Sequence, residues 1–284
     1  MGRAGLVEGR VQGRVHACIR GIVLAVAAVT ALGGAGGCAY KRSIDVSVKE
    51  PAEGWPERSA LDVQNFHGSV RIIVDPSLER IVPTAVAGAR QPWSEGIQWR
   101  PAEAVSVVMD VERQPGGNVL KVRTGAMWPN PEEVWVDLTI RVPACSGVTI
   151  WNRGGLVELV GVSGAVQVEN GPVELPDGSL GSSNGDILLR TDQAMLEPVA
   201  LVTSRGSVLY QVGPNSAGMF ELIAEGGKEE FHSPLLRPDR MEHDGRTLRA
   251  SVNRGTNHVL LRSDDGWVRA EIIEDPMHDR HAWP

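Results

Sequence analysis

The stretch GSSNGDILLRT, residues 181–191, sets Asn-Gly ahead of an apolar run, the strongest short-range signal for a tight type I′ turn. Nearly the same phrase returns as VQVENGPVEL (166–175), VTSRGSVLY (202–210) and SDDGWVRA (263–270). A single hairpin needs its turn once. A phrase that recurs describes a building unit, and that unit decides the fold.

Aligned on the turn glycine, apolar residues fall five before, two after and four after it. The main copies are Ile150/Gly155/Val157/Leu159, Val166/Gly171/Val173/Leu175, Leu180/Gly185/Ile187/Leu189 and Leu201/Gly206/Val208/Tyr210. Val63/Gly68/Val70/Ile72 matches fully. Leu222/Gly227/Glu229/Phe231 has one exception, and Leu261/Gly266/Val268/Ala270 is weak at its end. In the main run the glycines advance by 16, 14, 21 and 21 residues. Constant phase at such a step marks a solenoid, in which each unit buries its apolar face only by stacking on the next. Glycine accepts positive φ at the corner, and Asn170, Asn184 and Asp265 just before it tolerate the left-handed region. The copy around Gly255 is out of phase, and residues 232–250 interrupt the pattern.

Ahead of the repeat, alternation dominates. In VWVDLTIRV (134–142), Val134, Val136, Leu138, Ile140 and Val142 share one face, while Trp135, Asp137, Thr139 and Arg141 share the other. This is a half-buried strand. The expected fold is all-β: an antiparallel-strand N-terminal part followed by a parallel, β-helix-like solenoid. The domain boundaries expected are a signal peptide over 1–37, a linker over 38–59, the solenoid domain over 60–275 and a flexible tail over 276–284.

The repeats, together with VWVDLTIRVPACSGVTIWNRGG (134–155) and its I-x-VP strand, resemble the bacterial putative-adhesin domain family of unknown function. The resemblance covers roughly residues 60–270 by the repeat criterion and implies a β-helix-like fold. Its motifs are structural and transfer no catalytic residues. The family's Gly-Asp-Ile appears literally only at Gly185-Asp186-Ile187.

The N-terminus points to export. Arg3, Arg10, Arg14 and Arg20 precede the uncharged run GIVLAVAAVTAL (21–32), and GGAGGC follows. A basic region, a short apolar core and small residues make a secretory signal. The apolar run is shorter than the ~20 residues that span a bilayer; with GGAGG included, an uncleaved anchor is the alternative. AGGC ending at Cys38 resembles the bacterial lipobox, with Ala35 where that pattern prefers Leu. Lipidation at Cys38 would hold the protein at a membrane, since acyl chains contribute about 0.8 kcal/mol per buried methylene. Ala39 after it implies, by resemblance to Gram-negative lipoproteins, the outer membrane. Cys18 lies in the removed segment, so Cys145 stands alone and neither a disulfide nor a Cys/His zinc site is expected.

The net charge is −7, and removal of residues 1–37, with four arginines and one glutamate, makes it −10. Such a chain is a poor partner for nucleic acid, which needs clustered Lys and Arg. No P-loop or G-x-G-x-x-G occurs, and no cofactor or metal is expected. Glu158 and Glu174, each three after a turn glycine, point outward and could pair on neighbouring coils, as acid catalysis or Ca²⁺ binding would need. The next copies carry Leu188 and Leu209 there, which favours a solvated face. His278, Asp279 and His281 in a terminal tail lack a fourth ligand. Trp135 and Trp151 are at outward positions, where an exposed indole stacks sugars or anchors a protein, or caps an open sheet edge.

The expected function is therefore a non-catalytic, lipid-anchored, extracytoplasmic binding, adhesion or envelope-scaffold module. It would contact membrane lipid through Cys38 and an envelope protein or polysaccharide through Trp135 and Trp151. Alternatives are a β-helix carbohydrate-active enzyme using outward carboxylates, and an accessory or sensor subunit of an envelope complex.

Overall fold

The computed structural model describes residues 39–44, 47–48, 58–90, 105–114, 117–127, 134–172 and 185–278. The proposed signal and Cys38 lie outside them. All regular structure in the described residues is β. The first eight strands are β1 (Ala39–Ile44), β2 (Ser47–Val48), β3 (Ser59–Asn65), β4 (Val70–Val74), β5 (Val82–Arg90), β6 (Val105–Gln114), β7 (Gly117–Ala126) and β8 (Val134–Val142). Then come β9 (Cys145–Asn152), β10 (Val157–Val160), β11 (Ala165–Asn170), β12 (Ile187–Thr191), β13 (Val199–Thr203) and β14 (Val208–Val212). The last six are β15 (Gly218–Ala224), β16 (Glu229–His232), β17 (Arg240–Asp244), β18 (Thr247–Val252), β19 (His258–Ser263) and β20 (Val268–Ile272). Residues 38–59, expected as a linker, thus contribute β1, β2 and the first residue of β3.

The strands form two large mixed sheets, mostly parallel. Sheet A runs β1-β5-β8-β4-β10-β12-β14-β20-β16, and sheet B runs β17-β18-β15-β19-β13-β11-β9-β3-β7-β6-β2. Consecutive strands alternate between them: β9, β11, β13 and β15 are in sheet B, and β10, β12, β14 and β16 in sheet A. Each sequence repeat is therefore a two-strand unit, one strand per sheet with a corner between. The core lies between the sheets. Val63, Ile150, Val168, Leu201, Leu261 and Leu222 align across sheet B. Val70, Val157, Ile187, Val208 and Val268 align across sheet A. All are at most 1% exposed, and each fully buried Val, Leu or Ile side chain contributes about 1.5–3 kcal/mol. Ile187 and Val208 share one interior column as the repeat predicted; Val173 lies outside the described residues.

The corners stack through their glycines. A Cβ at Gly185 would lie 2.2 Å from the Gly155 carbonyl oxygen, and one at Gly206 would lie 2.4 Å from that of Gly185. Gly206 also has φ +138°, whereas Gly185 is not among the positive-φ glycines. The shared requirement is close backbone approach rather than a left-handed conformation. Asn170 and Asp265 are not left-handed either; among the described residues only Asn253 and Arg254 are non-glycine residues with positive φ.

Asn170 has a different task. Asn65, Asn152 and Asn170 occupy one register position at the ends of β3, β9 and β11, each 2% exposed. The Asn65 amide donates to Asn152 Oδ1 at 2.9 Å, and the Asn152 amide donates to Asn170 Oδ1 at 3.1 Å. Asn170 Nδ2 in turn donates to the Gly155 carbonyl at 2.8 Å. Thr203 and Ser263 continue the column, donating to the Gly185 and Gly206 carbonyls at 2.8 and 2.6 Å. Buried polar groups are tolerated when every one is paired, and here they tie each corner to the next.

This column corrects the phase of one copy. Val166 pairs in register with Val148 and Val199, and it is Val168 that joins Ile150 and Leu201. Gly171 is therefore not a corner glycine; Gly185 is. Fourteen residues separate Asn170 from Gly185, against two between Asn152 and Gly155. The chain between Asn170 and Gly185 is a long insertion, and the Asn170-Gly171 at its start mimics the motif.

Two ends depart from parallel pairing. β5 runs antiparallel to β8, β1 to β5 and β6 to β7, but β2, β3 and β4 pair in parallel with β6, β7 and β8, so the N-terminal part expected as antiparallel is mixed. At the other end β17 and β18 form a hairpin antiparallel to β15, which accounts for the phase break around residues 232–250. The final unit, β19–β20, does not extend the stack. It lies between β13–β14 and β15–β16, pairing in parallel with both. Tyr210, Phe220 and Phe231 meet edge to face at 6.0 and 5.3 Å, so three of the five Phe and Tyr residues gather at this end.

Candidate functional site

The outward faces of the two sheets differ. On sheet A, outward positions near the centre are covered: Gln211 and Glu271 are each 1% exposed and Leu209 is 7%. Their charges are matched locally. Glu158 lies between Arg71 at 2.8 Å and Arg190 at 2.6 Å, Gln211 donates to Glu271 at 2.6 Å, and Arg269 pairs with Glu271. In register the neighbours of Glu158 are Arg71 and Leu188. Glu158 is thus ion-paired within sheet A; Glu174, the other carboxylate considered from the sequence, lies outside the described residues.

On sheet B the outward face is open. Trp151 on β9 is 39% exposed. It is flanked in register by Gln64 of β3 and Glu169 of β11, both exposed. Thr149 neighbours it along its own strand, Arg153 follows just past that strand's end, and Gln167 lies diagonally across, with its amide donating to Glu169 at 3.3 Å. Beside the indole a groove of about 540 Å³ is bounded by Phe66, Arg153, Glu169 and Ser204. Its floor is the asparagine column, so the side chains above stand on backbone that neighbouring units fix. Arg123, one strand beyond Gln64, is held by Asp62 at 2.7 Å. The local charge is balanced.

Trp135 is elsewhere. It is on β8 of sheet A, half-buried, opposite Gly88 of β5. A Cβ at Gly88 would fall 2.1 Å from the indole, so the ring covers bare backbone near the N-terminal end of that sheet. Trp135 and Trp151 are outward on opposite sheets and form no common surface. Trp267 is a further half-exposed indole, at the corner before β20, with Lys228 Nζ 5.9 Å from its ring.

No protein-family model and no curated protein matches this chain. Among solved structures, a putative cell adhesion protein from Clostridium sporogenes is similar, with a TM-score of 0.52 and 10% identity. The match covers 83% of this chain and 99% of that one. At that identity the likeness speaks for the fold.

The described histidines do not converge. His67 contacts the Arg153 carbonyl, His243 pairs with Glu229, and His278 with Asp275. No group of three or more potential metal ligands occurs among the described residues; Asp279 and His281 lie outside them. Cys145 is buried, and burial pushes its thiol above the usual value. Gln64, Phe66, Arg153 and Glu169 were not singled out from the sequence. Their signal was the outward alternation around Val63 and Val168, readable only once the strands are stacked in the right phase.

Proposed function

We propose that the chain is a lipid-anchored, exported binding or adhesion module without chemistry of its own. Its two-strand units act as coils of a β-solenoid of the putative-adhesin type. Cys38 is the acylated N-terminus and holds the domain at the envelope, at the outer membrane by the Ala39 criterion. What supports binding is the contrast between the faces: the centre of sheet A is covered, while sheet B around β9 presents a tryptophan and exposed polar side chains over a fixed backbone. The adhesion name of the similar clostridial structure fits this reading.

The test uses bacteria displaying the full chain, scored for retention on immobilised envelope material. Ala200→Arg and Gln167→Arg, both on the open face, are expected to abolish retention, while Arg71→Ala on sheet A leaves it intact. Cys38→Ser is expected to release the protein from membranes. Retention no better than in cells lacking the chain, or equal for every variant, would overturn the proposal; so would turnover of a polysaccharide.

A further inference from the structure

Resting on that reading, we infer that the open face of sheet B binds an uncharged polysaccharide, with Trp151 as the stacking platform. Gln64, Thr149, Arg153, Gln167 and Glu169 surround the indole, and Phe66, Pro172 and Val202 are the apolar side chains that line the groove with it. A protein-binding hot spot sets its apolar anchors inside a desolvated patch. Here Trp151 and Phe66 stand in a groove whose lining side chains are mostly polar donors and acceptors. Such a set suits a pyranose, whose C–H face lies on an aromatic ring while its hydroxyls bridge to amides and carboxylates. Strands in a sheet are about 4.8 Å apart, comparable to one sugar ring, so Gln64 and Glu169 reach either side of a ring centred on Trp151.

Charge selects the class. Arg153 and Glu169 offset each other at the groove, and Arg123 is engaged by Asp62. The chain as a whole carries −7, which repels an acidic polymer over long range. A groove of about 540 Å³ is in the size range of sites that enclose a small molecule, here a few sugar rings of a longer chain.

Calorimetry on the full-length protein in detergent micelles tests the assignment. The probes are oligosaccharides of neutral β-glucan and galactomannan, with an oligogalacturonate as the acidic comparison. Trp151→Ala is expected to weaken neutral-sugar binding by at least about tenfold, the loss of a modest hot spot. Trp151→Phe should retain part of the affinity, and Gln64→Ala and Glu169→Ala should each weaken it severalfold. Trp135→Ala, on the opposite sheet, should bind as the native protein does. Melting curves of Trp151→Ala verify that it folds. Tighter binding of the acidic probe, or neutral binding indifferent to Trp151, overturns the inference. Capture of an envelope protein through Trp151 with no sugar bound also overturns it, yet leaves the binding module standing. If neither sugar nor envelope protein binds, both readings fall.

Discussion

Tyr210 is fully buried between the sheets, and its hydroxyl has no hydrogen-bond partner among the described residues. Burial pushes its phenol far above the ordinary value. In the unfolded chain the same group ionises near pH 10. A group whose folded value is raised stabilises fully below its unfolded value and loses that contribution as pH climbs beyond it. The loss approaches about 1.4 kcal/mol per pH unit. Tyr210→Phe removes both the unpaired hydroxyl and the titration. At pH 7 it is expected to be neutral or stabilising by about 1 kcal/mol, which raises Tm by roughly 2–4 °C in a domain of this size. Above pH 10 its advantage should widen. Melts at pH 7, 9 and 11 would show this, and a lower Tm at pH 7 would mean that the hydroxyl has a partner. Next to this orphan, the asparagine column is the opposite case, polar groups taken into the interior with every contact met.

At the scale of elements, the corner stack explains why glycine recurs. Alanine at position 185 would press on the Gly155 carbonyl and on the Asn170 amide, 2.3 Å away. Neither can move without disturbing two units. Gly185→Ala is therefore expected to cost about 3 kcal/mol, a Tm loss of roughly 6–12 °C. At Gly171 the obstacle is the Ser204 hydroxyl at 2.7 Å, a side chain that can rotate, so Gly171→Ala should cost less than about 1 kcal/mol. Equal losses in thermal denaturation would restore Gly171 as a corner. This pair also marks how far the sequence could be read. Periodicity found the strands, the inward residues and most corners, because alternation and close approach act locally. It misphased β11, because the Asn170-Gly171 where the insertion begins looks like an Asn-Gly at a corner. That slip placed Gln167 beside Trp151, where the register puts Glu169, and so blurred the groove.

Over the whole molecule, the equal 21-residue steps from Gly185 to Gly206 to Gly227 suggest that β15–β16 follows β13–β14 directly. Instead β19–β20 occupies that place. Local chemistry marks a corner but does not choose its neighbour; that choice is made by long-range packing, where Tyr210, Phe220 and Phe231 assemble. Removing a terminal unit from a stacked array costs one interface, whereas removing an interior one costs two. Deletion of residues 258–284 takes the interior unit away and leaves β13, β14, β15 and β16 facing a gap. The shortened chain is expected to lose its cooperative thermal transition. A sharp transition within a few degrees of the full-length protein would show that β15–β16 can close onto β13–β14 unaided.

The wedged position of the last unit also sets a clock. A nascent chain lacks the piece that joins β13–β14 to β15–β16 until residues 258–272 have been made. For a polypeptide threaded through a membrane before it settles, the route proposed here, such an order would be useful: the keystone would follow its neighbours across, and the arch would lock only on the far side.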